Sequence, residues 1–486
     1  MGTRTSLNAV RHRIRSHHHV RAYRLAPMLA ATIAVVVTVT CVAAYRAATA
    51  TAAASKAPIV VTAKNYGARG DGHHNDSQAL QHAINAVAGR PGSTVLLPKG
   101  IYYCPAGIRL HSHVNLKGDG MAASWLEGHL DFASHSVVSK LKIGAARVSA
   151  VQNLRGASHT TFVNVRFRGG GGHGYGAAVL TLGSSSGSRG LNHVTFSHCV
   201  VERNLGTENW SVNGGSGRGY NDISVYENPA AGGSQVSDLK FVGCHVGVSN
   251  GAGGHDTGSP RADIEVWTGT GRVVQAFHRI TLSDSVFEAS DRFCIDLSDR
   301  ATASGKHLAG PVLIQGNLIK GAGYGTGKHP WSYSICLEHP RDVTIRGNTI
   351  YASANTTVCG SAGSASHTVI VHNTIDLSVA NGVHQTGDEA VTLKGRNSVF
   401  SHNVVKAGVD SGPLLYLKQT SRNHVTNNRF SDARTSGNPA MVLLRDASHN
   451  VLTHNLFSTA AGVSPRILVQ GASAANTLRP NTFRHG

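Results

Sequence analysis

The stretch Asp342–Tyr351, D-V-T-I-R-G-N-T-I-Y, alternates apolar and polar positions up to an asparagine and then resumes with strand-forming residues. Such alternation predicts a strand with one buried face. The phrase recurs around Asn317, Asn348, Asn373, Asn403, Asn428, Asn455 and Asn481, at steps of 31, 25, 30, 25, 27 and 26 residues. No amphipathic helical stretch separates the copies, and each period holds two or three strands of about five residues plus turns. A repeat of this kind predicts a solenoid in which one period makes one turn of a parallel β-helix, stacked about 4.8 Å from the next. Asparagine suits the recurring corner because it tolerates a left-handed backbone and its amide bonds neighbouring main chain. Stacked copies predict an amide ladder inside the coil.

Between residues 105 and 310 the phrase persists in Thr160–Phe167, His193–Val201, Asp238–Val246 and Arg279–Phe287. Aligned on the corner, these give Asn164, Cys199, Cys244 and Ser285, at longer steps of 35, 45 and 41 residues. The surplus residues must leave the coil as loops, such as Gly169–Gly176, Gly183–Gly190 and Thr207–Tyr220. Long loops on one stretch of a regular scaffold are where binding grooves are built.

A second strand series runs between the asparagine phrases: D-I-S-V-Y-E (222–227), D-I-E-V-W-T (263–268), C-I-D-L-S-D (294–299) and S-I-C-L-E-H (334–339). It continues as A-V-T-L-K (390–394), L-L-Y-L-K (414–418) and V-L-L-R (442–445). The Ile and Val or Leu positions predict the core face, leaving three outward columns. One runs Ser224, Glu265, Asp296, Cys336, Thr392, Tyr416. Another runs Tyr226, Trp267, Ser298, Glu338, Lys394, Lys418, Arg445. A third, just ahead of them, contains Asp222 and Asp263. Neighbouring coils lie about 5 Å apart, so Asp263, Glu265 and Asp296 crowd one patch. Like charges that close repel unless one takes a proton or a cation intervenes.

The sequence opens with Arg4, Arg11, Arg13, Arg15, Arg21 and Arg24 and no acid within residues 1–24, a basic cytoplasmic tail. Residues 25–45 carry no charge and are rich in Val and Ala, which predicts a signal anchor or a cleaved signal peptide. Residues 46–58 form an Ala/Thr-rich linker, and 59–486 form the solenoid, with 59–104 as its amino-terminal cap. Asp76 is placed to cap a helix whose Leu80, Ile84 and Val87 share one face.

The cap also carries a resemblance. N-Y-G-A-R-G-D-G, then N-D-S-Q-A-L-Q-H-A-I, then V-L-L-P-K-G-I-Y, all within Ala63–Cys104, resembles the opening of the pectate-lyase-like superfamily, nearest its rhamnogalacturonase- and epimerase-type members. The resemblance implies an all-β, single-stranded, right-handed parallel β-helix. For the reaction it is less specific, since the superfamily includes lyases, hydrolases, epimerases and phage tailspikes. The D-P-H-E motif of mannuronan epimerases is absent, and Leu337-Glu338-His339-Pro340 does not replace it.

Charge refines the picture. The chain has 45 Lys and Arg against 26 Asp and Glu. Without its first 54 residues, which hold seven Arg and no acid, the balance is 38 against 26, a net of +12. An exported cationic groove suits an acidic polysaccharide; nucleic acid is not expected. Six cysteines (Cys104, Cys199, Cys244, Cys294, Cys336 and Cys359) lie outside the apolar segment with no C-x-x-C pair, which leaves zinc and thioredoxin-like chemistry without support. Cys294 and Cys336, on neighbouring predicted strands, are candidates for a disulfide.

These features point to cleavage of an acidic, uronate-containing glycan by hydrolysis or β-elimination. The candidate acid/base residues are Asp263, Glu265 and Asp296. Tyr226, Trp267, Glu338 and Lys394 are candidates for binding substrate, and Asp222, Asp263, Glu265 and Asp296 form a candidate calcium site. In elimination, Lys394 or Lys418 is the candidate base. The alternative is a non-catalytic glycan-binding or cell-surface β-helix of the adhesin or tailspike kind.

Overall fold

The computed structural model describes residues 56–485 apart from 146–147, 154–155, 171–177, 185–189, 205–220, 228–235, 249–261, 269–276, 289–292, 300–309, 321–332, 339, 352–357, 361–365, 379–389, 407–411 and 435–439. The basic tail and the apolar segment 25–45 lie outside the described residues. Among those described, no helix is long and apolar enough to cross a membrane.

The described residues hold 39 strands, and the chain winds them into three parallel faces. The first face includes Val236–Val242, Ile280–Ser283, Val312–Gln315 and Val343–Arg346. The second includes His245–Val248, Val286–Phe287, Leu318–Ile319 and Thr349–Tyr351. The third includes Ile223–Glu227, Ala262–Thr268, Phe293–Asp299 and Tyr333–Glu338. Each strand pairs in parallel with its counterpart one turn on, as in Val312↔Val343 and Ile319↔Ile350.

Inside the coil, identical side chains stack. Phe162, Phe196 and Phe241 lie face to face at 4.7 Å per step, and Phe430 and Phe457 repeat this at 5.1 Å, with the exposed Phe483 stacked on their end. The predicted amide ladder is present from Asn317 to Asn481. From Asn348 onward each Oδ1 accepts the backbone N–H and side-chain amide of the previous turn's asparagine, as in Asn348 N and Nδ2 to Asn373 Oδ1, both 2.9 Å. Each Nδ2 also donates to a main-chain carbonyl, as Asn348 does to Ile314 at 3.0 Å. A second ladder, Asn423–Asn450–Asn476, lines another corner. Buried turns leave backbone groups that must be paired, and the amide pairs two per turn.

Upstream, the ladder position changes residue but keeps its bonding. Ser285 Oγ accepts Cys244 N at 2.9 Å, and Ser285 N donates to Asn317 Oδ1. Cys199 and Cys244 are buried free thiols that donate to the carbonyls of Phe162 and Phe196. The expected alignment of Asn164 with Cys199 is corrected by one residue. Val163 pairs with Ser197 and Arg166 with Val200, so Val165 stands opposite Cys199. Asn164 instead shares a left-handed corner with His198, both at φ 52°.

The amino-terminal helix, Ser77–Val87, buries Leu80, Ala83, Ile84 and Val87 in the main core. Its burial keeps the apolar end of the solenoid from water. Asp76 sits at the helix start but does not cap it by a side-chain bond. Its carboxylate instead accepts Arg69 N at 2.8 Å and Gly70 N at 3.0 Å, and Asn75 Oδ1 takes Ser77 N.

Candidate functional site

The third face differs from the other two. On the first face burial alternates along each strand, as in Val343–Arg346. On the third, residues 221–225, 262–266 and 293–298 are all buried, including those that alternation turns away from the core. The predicted columns are present in the backbone register. Ser224 pairs with Glu265, Glu265 with Asp296 and Asp296 with Cys336, while Tyr226, Trp267, Ser298 and Glu338 form the next row. One turn was not anticipated: Val358–Gly360 places Cys359 between Cys336 and Thr392.

The outward columns are nonetheless buried here. Asp222 and Asp263 are 0% exposed, Asp296 2% and Glu265 4%. Glu265 Oε2 accepts from Asn221 Nδ2, which also donates to Ser224 Oγ at 2.9 Å. Asp296 Oδ1 accepts from Ser298 Oγ at 2.6 Å. Asp222 Oδ1 takes the backbone N–H of Asn204 at 2.7 Å. Asp222 Oδ2 has no hydrogen-bond partner, and Asp263 faces the weakly donating thiol of Cys294.

Asp222 and Asp263 stand on adjacent turns, flanked by the pair Ile223↔Ile264. Burial pushes the Asp263 carboxyl well above the usual range, and the neighbouring Asp222 adds to the shift. Burial raises Asp222 as well, against the opposing pull of Asn204 N–H and Arg203. Two desolvated carboxyls side by side cannot both ionise cheaply, so the pair retains a proton where an exposed aspartate would have none. Gly247, at φ 86°, runs close by: a Cβ there would strike the Glu288 carbonyl and come within 2.9 Å of Asp263 Oδ1. Glu288 itself is held by His245 Nε2 at 2.7 Å and by Lys320. Against the opposing effect of burial, these partners bring its pKa down to about 2.

Residues 60–269 match the family described as rhamnogalacturonase A/epimerase, pectate lyase-like, and residues 308–483 match the right-handed β-helix region. The chain is a right-handed β-helix whose residues 60–269 are pectate-lyase-like. It is 45% identical over 58 residues to plasmin and fibronectin-binding protein A of Streptococcus pneumoniae, covering 12% of this chain and 8% of that protein. It is 43% identical over 54 residues to an iota-carrageenase of Alteromonas macleodii, covering 11% of each. The A-module of the Azotobacter vinelandii mannuronan C-5 epimerase AlgE6 aligns over 87% of this chain and 99% of its own at 14% identity, TM-score 0.38.

Within this β-helix, the expected residues are spread over several turns. Among the described residues, no three His, Cys, Asp or Glu side chains converge to hold a metal ion. Of the four carboxylates of the calcium reading, Asp222 is bonded by Asn204, Glu265 by Asn221 and Asp296 by Ser298. Cys294 and Cys336 form no disulfide with each other, because the register sets Cys336 opposite Asp296. Cys294 instead lies beside Asp263 and opposes the rise in its pKa. Lys394 follows the strand Val391–Leu393, whose turn is the third beyond that of Asp296. At about 4.8 Å per turn this is roughly 14 Å along the axis. The side chains of Tyr226 and Trp267 lie outside the described residues. Glu338 is half-buried at the end of its strand. Asn204, Asn221 and Ser298 were not anticipated as site residues. The signal for Asn221 was available, since it directly precedes the D-I-S-V-Y-E strand.

Proposed function

We propose that this β-helix is exported and hydrolyses an acidic, uronate-containing glycan on its third face, with Glu265 and Asp296 flanking the scissile bond. The observation that carries the reading is the direct pairing of Glu265 with Asp296 on neighbouring parallel strands, in a buried polar row. One carboxyl protonates the glycosidic oxygen as it leaves, and the other activates water or attacks the sugar. Asn221 and Ser298 fix the two side chains, so the pair needs little reorganisation to act. The Asp222–Asp263 pair behind them, with Asp263 beside Glu265 on its strand, holds a proton in reserve. Tyr226 and Trp267 supply surfaces for sugar rings, and Glu338 lines the same row. Elimination has less support, because its candidate base Lys394 stands three turns away.

A second reading draws on the likeness to a plasmin and fibronectin-binding protein and on the near-complete burial of the carboxylates. In it the same face binds a glycan without cutting it.

The test is incubation of the exported domain with polyuronates and neutral glycans. New reducing ends without ultraviolet-absorbing unsaturated product support hydrolysis. An unsaturated product replaces it with elimination, and binding with no product leaves the adhesin-like reading.

A further inference from the structure

On the corner that leads into the first face, His113, His135, His159 and His193 stand one above another on four successive turns. Their ring centroids are 4.5, 4.8 and 4.6 Å apart, with planes within 4–6° of parallel. All four are exposed, and all adopt left-handed backbone, at φ 65°, 56°, 55° and 52°. The corner itself does not require histidine. Further along, the same left-handed position is filled by Asp238, Arg279, Asp342, His367, Asn397, Arg422, His449 and Ala475. Four consecutive imidazoles therefore exceed what the turn demands.

The row ends on Asp238, whose Oδ2 lies 3.4 Å from His193 Nε2. That carboxylate is claimed by Arg279, which donates to both oxygens at 2.6 Å. Its pKa is pulled down chiefly by Arg279. Desolvation lowers the pKa of His135, and the neighbouring His113 and His159 add to the shift. Beside the row opens a cavity of about 540 Å³, lined among others by Arg109, His111, Ser112, Asp131, Ser134 and Asn153. Arg109 and Asp131 are 3.7 Å apart there, and His111 Nε2 contacts Asn85 Oδ1 at 2.9 Å.

We infer that this corner is a second, acid-gated docking strip for an anionic glycan chain, laid along the four imidazoles with one sugar seated in the adjoining cavity. The choice of an acidic glycan rests on the proposed function; the strip itself rests on the stacked rings. Desolvation, and like charge on His113 and His159 less than 5 Å away, hold the His135 pKa below the usual imidazole value. A chain of carboxylates along the row removes that repulsion, so binding and proton uptake reinforce one another. Affinity therefore rises as pH falls, while the glycan's carboxylates remain ionised.

The experiment measures binding of a fluorescent oligouronate to the full chain carrying Glu265→Gln, which stops cleavage, at pH 7.5 and 5.5 and at low and high salt. A sulfated oligosaccharide and a neutral one run in parallel. The companion variant adds His135→Asn and His159→Asn; asparagine keeps the left-handed backbone, and circular dichroism checks the fold. The strip predicts about tenfold tighter binding at pH 5.5 than at 7.5, sensitive to salt, with a much smaller tightening in the histidine pair variant, which keeps only His113 and His193. Tightening confined to the sulfated probe keeps the strip and changes its ligand. Equal pH dependence in both proteins, or no tightening with any anionic probe, overturns it. Cleavage by the parent chain with no histidine-dependent binding would sink the strip alone; histidine-dependent binding without cleavage would sink the hydrolase alone.

Discussion

Removing one rung of the asparagine ladder should cost far more in the middle of the solenoid than at its end. Asn373 accepts Asn348 N at 2.9 Å and donates to Ile345 O at 2.9 Å. Asn373→Ala leaves that N–H and that carbonyl buried and unpaired. Asn403 Oδ1 still receives Asn373 N, and Asn348 Nδ2 still reaches Ile314 O. Each orphaned group costs about 1–3 kcal/mol, giving a total of about 4 kcal/mol. Asn373→Ser should recover about half, because Ser285 shows a hydroxyl accepting the previous turn's N–H at the same position. Asn476→Ala removes similar bonds from a half-buried residue in the last turns, where water replaces them, and should cost about 1 kcal/mol or less. Urea unfolding followed by circular dichroism gives the loss, and hydrogen exchange across residues 343–351 locates it. A loss below 1 kcal/mol for Asn373→Ala, or an equal loss for Asn476→Ala, would refute the reasoning.

Other outcomes follow from the same contacts. Phe196→Ala opens the centre of the stacked phenyl column and should destabilise by about 3–5 kcal/mol, read by thermal or urea unfolding. Asp263→Asn should raise the unfolding midpoint at pH 7.5 and much less at pH 4. The folded-state pKa lies above the unfolded one, so ionisation weakens the fold progressively as pH rises from about 4. Glu288 acts in the opposite sense: its stabilisation is present above the ordinary glutamate range and is lost as pH falls towards about 2, so Glu288→Gln should flatten the acid limb of a stability profile.

The repeat made the winding legible, because asparagine is conspicuous and its spacing counts turns directly. The columns Ser224–Glu265–Asp296–Cys336 and Tyr226–Trp267–Ser298–Glu338 were equally accessible, since period-two alternation fixes which positions share a row. Asn164 misled by one place: it is the residue type of the ladder standing in the left-handed corner beside it, where asparagine is also favoured. The burial of the carboxylates was not legible, because alternation tells core side from outer side but not what covers the outer side. The histidine row was hidden as well. Its members are 22, 24 and 34 residues apart, irregular steps that coincide only once the strands are in register. Asp76 had the right residue at the right place for a helix cap, but the chain's return at Arg69 and Gly70 offers its carboxylate two N–H groups instead.

The most direct measurement is release of reducing ends from a polyuronate by the parent chain, Glu265→Gln, Asp296→Asn and, as a control three turns along the same column, Thr392→Ala. Loss of about 10²–10⁴-fold in both carboxylate variants, with Thr392→Ala near the parent rate, is the predicted result. Undiminished release by Glu265→Gln and Asp296→Asn would contradict an active site assembled from neighbouring turns of the third face.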